Sequence, residues 1–154
     1  MRTIQDWLDE YNESHTDNLN KLAHWICVPA IVFSLLGLLW LVKIPPFLHT
    51  FLPSNLALII TLFALSYYFT LSVRLACGMI VFLGAMFALL LWMEHLALST
   101  FTNYLIIFVV AWIGQFIGHV VEGKRPSFFK DLQFLLIGPL WLLSFVYKNV
   151  GFRY

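Results

Sequence analysis

Charge is what this chain has least of. Of its 154 residues 11% are charged and 61% are hydrophobic, against about 25% and about 45–50% in an ordinary soluble domain. A single globule of this length has too little interior for so much apolar surface, so a soluble domain is excluded, as is intrinsic disorder. Nine Lys and Arg against eight acids leave a formal net charge of +1. That is no electrostatic footprint for phosphates, and no nucleic-acid partner is expected. Cysteine is also scarce: Cys27 and Cys77 are the two present, both in apolar runs. They are too few for a disulfide framework and are expected to be small buried hydrophobes. Neither has the electropositive surroundings of a catalytic thiol. Internal repeats and low-complexity segments are missing too. A basic start followed by an early apolar core, the mark of a signal peptide, is replaced by five acids in the first seventeen residues, so the N-terminal segment is expected to be retained. The composition leaves one integral membrane domain, residues 1–154.

What is present is apolar length. Trp25 to Val42 and Leu56 to Val73 are uncharged runs of 18 residues, Leu75 to Met93 has 19, and Leu96 to Val121 has 26. A span needs about 20 such residues, so the expected fold is an all-α bundle of four transmembrane helices. Ser99, Thr100, Thr102 and Asn103, at the start of the last run, are expected to be loop. The second and third helices meet near Arg74 in a tight hairpin. Ahead of the spans, Thr3 and Asp6 form a capping-box-like start. Ile4, Trp7, Leu8 and Tyr11 then follow at helical spacing, which predicts a short amphipathic helix lying on the membrane or the bundle. A fifth run, Leu132 to Tyr147, is interrupted by Gly138-Pro139. It reads as a short re-entrant or interfacial helix, because broken backbone at membrane depth is tolerated only against protein or water. With the N-terminus inside, cytoplasmic segments carry Arg2, Lys21, Arg74, Lys124, Arg125 and Lys130, and the outer loops carry Lys43. The positive-inside rule then puts both termini in the cytoplasm.

This topology sorts the five histidines. His49 and His95 fall on the outer side, as interfacial residues. His15, His24 and His119 converge on the cytoplasmic face. His15 and His24 are nine residues apart, on opposite sides of any continuous helix. Both can face inward only if the chain breaks between them, and Thr16, Asp17 and Asn18 are suitable helix-start residues. Asn20 lies one turn before His24. On the last span Gln115, His119 and Glu122 stack at i, i+4, i+7, with Gly118 leaving room, Gly123 as a C-cap and Pro126 as a stop. Imidazoles with a carboxylate suit Fe, Zn, Mn or Ni. The candidate metal ligands are His15, His24, His119 and Glu122. Asn20 and Gln115 are candidates for fixing ring orientation, as neighbours of a ligating histidine do. The spacing closes no motif of the H-E-x-x-H kind. The six Trp and six Tyr are expected to serve mostly as interfacial belt and packing.

Tyr11-x-x-x-His15-x-x-x-x-Asn20-x-x-x-His24 with Pro29, and Gln115-Phe-Ile-Gly-His119-x-x-Glu122 with Pro126, resemble the two signatures of a family of small membrane proteins long catalogued as a domain of unknown function. Asp131 to Pro139 looks like its C-terminal block in the bacterial form. The characterised fungal member of that family is a 2-hydroxy-fatty-acid dioxygenase of the endoplasmic reticulum that requires ferrous iron. The resemblance implies Fe(2+) held by His15, His24 and His119, with Asn20, Gln115 and Glu122 as catalytic companions. It implies a long-chain 2-hydroxy fatty acid and dioxygen as substrates, cleaved to the acid one carbon shorter. Membrane lipid would surround the protein, in the inner membrane of a bacterium or the endoplasmic reticulum of a eukaryote. Lys21, Lys124 or Arg125 would attract the substrate carboxylate. Pro126-Ser127 stands where fungal members tend to have Pro-Ala, which leaves the substrate open. A membrane metal- or haem-binding protein without oxygenase activity is the alternative, and a transport or scaffold protein a third reading.

Overall fold

The protein, seen in a computed structural model, is described over residues 3–13, 15–48, 54–123 and 128–152, with side chains at all of these but 128–134. Among the described residues six α-helices follow in order: α1 (Ile4–Glu13), α2 (Asn18–Trp40), α3 (Leu56–Leu71), α4 (Val73–His95), α5 (Phe101–Glu122) and α6 (Phe128–Val150). One 3-10 turn, Pro46–Leu48, lies between α2 and α3. No strand is formed among the described residues; an isolated bridge pairs Lys43 with Asn55.

The helix ends follow the local chemistry of their sequence. In α1, the Thr3 N–H donates to Asp6 Oδ2 (2.7 Å) and the Asp6 N–H to Thr3 Oγ1 (3.2 Å), a reciprocal cap. Leu8 and Tyr11 are buried, Asp6, Asp9 and Glu13 are exposed, and the helix packs on α6. Asp17 caps α2 through the N–H groups of Leu19 and Asn20. Gly123, at φ 71°, ends α5 in the left-handed region that glycine enters without steric cost.

Three described helices, α2, α4 and α5, are long and apolar enough to cross a membrane. The fourth expected span, α3, is a shorter apolar helix that carries the chain from the end of α2 to the start of α4. Ser72 closes α3 and also caps α4, so Val73 belongs to α4 and α3 keeps 16 residues. Its rise of about 24 Å falls short of the about 30 Å hydrocarbon core. Thr102 and Asn103 are helical rather than loop, because Thr100 accepts from the Asn103 N–H and starts α5 just before them. Nor does Gly138-Pro139 interrupt the C-terminal helix: α6 runs unbroken through it for 23 residues. Pro139 supplies no N–H to the turn before it. The carbonyl left without its helical donor is that of Leu135, four residues back; the next one, of Leu136, accepts the Tyr68 hydroxyl at 2.9 Å.

The most extensive packing is α2 against α5. Small residues let the two backbones close up. A Cβ added at Gly37 would lie 2.4 Å from the Tyr104 ring, at Gly114 2.6 Å from Cys27 Sγ, and at Gly118 2.6 Å from Asn20 Oδ1. The described half of α6 runs antiparallel to the first half of α2. Gly138 approaches Val28, Trp141 faces His24, and Phe145 faces Trp25. This return course places the start of α2, the end of α5 and the middle of α6 around one spot. Of the two cysteines, Cys27 is half-buried in this packing and Cys77 is exposed on α4, so the expectation that both are buried fails for Cys77.

Candidate metal centre

His15 and His24 meet because the chain breaks between them. α1 ends at Glu13 and α2 begins at Asn18. The break lets both rings turn inward, and both are buried. Each ring is held by the backbone one turn earlier. His15 Nδ1 stands 2.6 Å from the Tyr11 carbonyl and His24 Nδ1 2.9 Å from the Asn20 carbonyl. A carbonyl only accepts, so each Nδ1 carries the proton and each neutral ring keeps its lone pair on Nε2. Those two Nε2 atoms face each other at 2.8 Å. Lone pairs that close repel unless a cation, a proton or a metal ion, lies between them.

His119 completes the group from α5. Its ring centroid is 5.2 Å from that of His24 and 5.4 Å from that of His15. One ligand nitrogen from each of the three histidines lies within 4.8 Å of the others, and they form the metal-capable group found among the described residues. Imidazoles bound side by side at about 2.1 Å from a divalent ion stand about 3 Å apart. The donor set, all imidazole nitrogen, suits Fe, Zn, Cu or Ni. The residues present therefore fit a transition-metal ion.

Aromatic rings wall the group. Tyr11 stacks on His15 with centroids 4.1 Å apart and planes within 3°. Trp141 is wholly buried, its centroid 5.3 Å from His15 and 5.1 Å from Tyr11, and its Nε1–H donates to Asn12 Oδ1 at 2.6 Å. Beside His24 and His119 lies a cavity of about 40 Å³, also lined by Tyr11, Gln115, Trp112 and Gly138. Gln115 is buried there, and its Oε1 has no hydrogen-bond partner.

Glu122 takes a different place. Its carboxylate accepts from the Thr16 N–H (2.9 Å), the Thr16 hydroxyl, the Asp17 N–H (2.8 Å) and Asn20 Nδ2 (3.2 Å). It ties the end of α5 to the break between α1 and α2 and stands outside the three-histidine group. Asn20 holds His24 with its carbonyl and Glu122 with its amide. Gly118 makes room for Asn20 and Ala23 across the helix interface, not for the neighbouring histidine ring.

Of the residues singled out in the sequence, His15, His24, His119, Gln115 and Asn20 come together, and Glu122 braces them from the rim. His95 is exposed at the far end of α4. His49, Arg2, Lys124, Arg125, Pro126 and Ser127 lie outside the described residues, as does the side chain of Lys130. Lys21 is half-buried in the first turn of α2. Two contributors escaped the sequence reading. The sequence marks Trp141 only as one of six tryptophans of belt and packing, although its i, i+3 spacing from Gly138 puts it on the same face of α6. Thr16 was read only as a helix starter, and its contact with a residue 106 positions away has no local signal.

Fold and site together define a small all-helical membrane protein with a buried histidine cluster at one end of its bundle. The chain belongs to the Mpo1-like family: the model described as 2-hydroxy-palmitic acid dioxygenase Mpo1-like matches residues 1–150. It is 32% identical over 152 residues to the 2-hydroxy-palmitic acid dioxygenase MPO1 of Saccharomyces cerevisiae, an alignment covering 97% of this chain and 82% of that protein. No solved structure matches the chain.

Proposed function

We propose that this protein is a membrane-embedded dioxygenase that cleaves long-chain 2-hydroxy fatty acids to the acid one carbon shorter, with Fe(2+) held by His15, His24 and His119. The observation that carries the reading is the pair of Nε2 atoms 2.8 Å apart, each fixed by its own Nδ1–H bond to a backbone carbonyl, with His119 beside them. The family membership and the name of the yeast relative support the substrate class. Ferrous iron bound there would supply dioxygen activation and a template for the two oxygens of the substrate head.

The chain's own residues do the rest. Tyr11 and Trp141 lock the ring planes of His15 and His24 and keep bulk water from them. Gln115 Oε1, buried in the cavity wall, is placed to accept a hydrogen bond from the 2-hydroxyl. Glu122 acts through position: it holds Thr16, Asp17 and Asn20 so that His15 stays opposite His24. The surrounding wall of Val28, Ile31 and Phe116 suits the first methylenes of an acyl chain.

Bis-histidine haem ligation is disfavoured by space. The cavity of about 40 Å³ beside the histidines has room for a few waters, and a porphyrin is many times larger. The test is dioxygen uptake by purified protein supplied with a 2-hydroxy fatty acid. Uptake with formation of the acid one carbon shorter is expected, and equal turnover by metal-free protein would overturn the reading.

A further inference from the structure

A 2-hydroxy acid with its head at the histidines needs a place for its tail. Beyond the histidine cavity lies a second, apolar cleft of about 80 Å³ between α2, α3, α4 and α6, lined by Val32, Leu36, Ala64, Met79, Leu83 and Leu135 among others. Leu135 lines both spaces. On α2 the first space is lined as far as Ile31 and the second begins at Val32; on α6 Gly138 faces the first and Pro139 the second. The two therefore follow one another along α2 and meet on neighbouring faces of one turn of α6, with Leu135 lining both. From His24 to Leu39, which lines the far part of the cleft, α2 rises about 22 Å. That is close to the length of an extended hexadecanoyl chain.

Thr61 gives a second, independent sign. It is 7% exposed, lines the cleft, and its Oγ1 has no hydrogen-bond partner. A helical threonine ordinarily returns its hydroxyl to a carbonyl three or four residues back. Here the hydroxyl is left against apolar space.

We propose that this cleft receives the acyl tail of the substrate, which passes Leu135 on leaving the histidine cavity, and that residues at its far end set the preferred chain length. The inference rests on the proposed dioxygenase function. Both spaces are narrow, and the rotamers of Leu135 and the unbranched, adaptable Met79 set their width. A long tail gains contact with the cleft; an acid of eight carbons or fewer ends near Leu135 and gains none. Chain length is thus read in KM rather than at the reacting carbons.

The experiment compares 2-hydroxyhexadecanoate with 2-hydroxyoctanoate on the full-length protein in lipid nanodiscs. Ala64→Phe fills the cleft and is expected to raise KM for the long acid at least tenfold, with values for the short acid unchanged. Thr61→Val, a replacement of nearly equal volume, removes the unpaired hydroxyl and is expected to lower KM for the long acid at least twofold. It decides the matter if the bulkier variant fails to fold. A 2-hydroxy fatty acid carrying a diazirine near its methyl end should label peptides of α2 and α4 that line the cleft, without any turnover. Equal effects of Ala64→Phe on both acids, no effect of Thr61→Val, or labelling confined to outward-facing positions such as Val81 and Val110 would overturn the cleft while leaving the dioxygenase reading intact. A wild-type protein that turns over neither acid would overturn both.

Discussion

Each of the two facing imidazoles is committed at Nδ1 to a carbonyl of its own helical turn, so the direction of its free lone pair is decided by backbone rather than by the partner ring. This explains why a break in the chain, rather than a motif of fixed spacing, builds the centre. It also defines what Glu122 does. A carboxylate at a helix end beside a histidine reads in the sequence as a possible ligand; only the folded α1–α2 turn reveals four donors already converging on it. Glu122→Gln should therefore weaken the brace without removing a ligand. We expect a loss of about 1 kcal/mol in stability, at the low end for a hydrogen-bonded charge because the site is partly exposed. Bound metal should become more easily lost to chelator, and the melting curve with and without chelator checks both. The histidines themselves were legible, since few polar groups survive in so apolar a chain. Trp141 was not, because a tryptophan in an apolar run carries no mark that separates core from membrane interface.

Among the elements, α2 and α5 depend on small residues for their approach. Gly118→Ala would set a Cβ 2.6 Å from Asn20 Oδ1 and 3.1 Å from the Ala23 Cβ. Overpacking of this kind costs about 1–3 kcal/mol. Because Asn20 carries both the His24 and Glu122 contacts, the variant should keep its helical circular dichroism yet bind metal less tightly; unchanged metal affinity would show that this contact positions nothing. Helix starts rest on local chemistry, since Thr3 with Asp6, Asp17, Asn55, Ser72 and Thr100 all cap through their own side chains; those at Thr3 and Asp17 were readable, whereas Ser72 and Thr100 lay inside or beside long apolar runs and were not. The length of α3 and the continuity of α6 were not, for two different reasons. Ser72 serves two helices at once inside what looks like one apolar boundary. A Gly-Pro pair reads in the sequence as a break, yet α6 continues through Pro139.

At the scale of the whole molecule, the return of α6 along α2 brings Phe145 to Trp25 and Tyr147 to Arg74, where its hydroxyl donates to the backbone carbonyl at 2.8 Å. The C-terminal end of α6 thus comes back to the end of the bundle where α2 and α4 begin. Together with the bias of Lys and Arg, this predicts both termini on one side of the membrane. Reporter fusions at either end should give the same cytoplasmic signal, and opposite signals would require α6 to cross. Composition alone announced a membrane protein, whereas the convergence of the histidines needed the topology and then the fold. The most direct measurement is metal content of anaerobically purified protein, taken alongside dioxygen uptake with a 2-hydroxy fatty acid, for the wild type and His119→Ala. About one iron per chain with uptake in the wild type, and loss of both in the variant, is the expected result. Full turnover in His119→Ala, or in protein stripped of metal, would contradict a three-histidine iron centre.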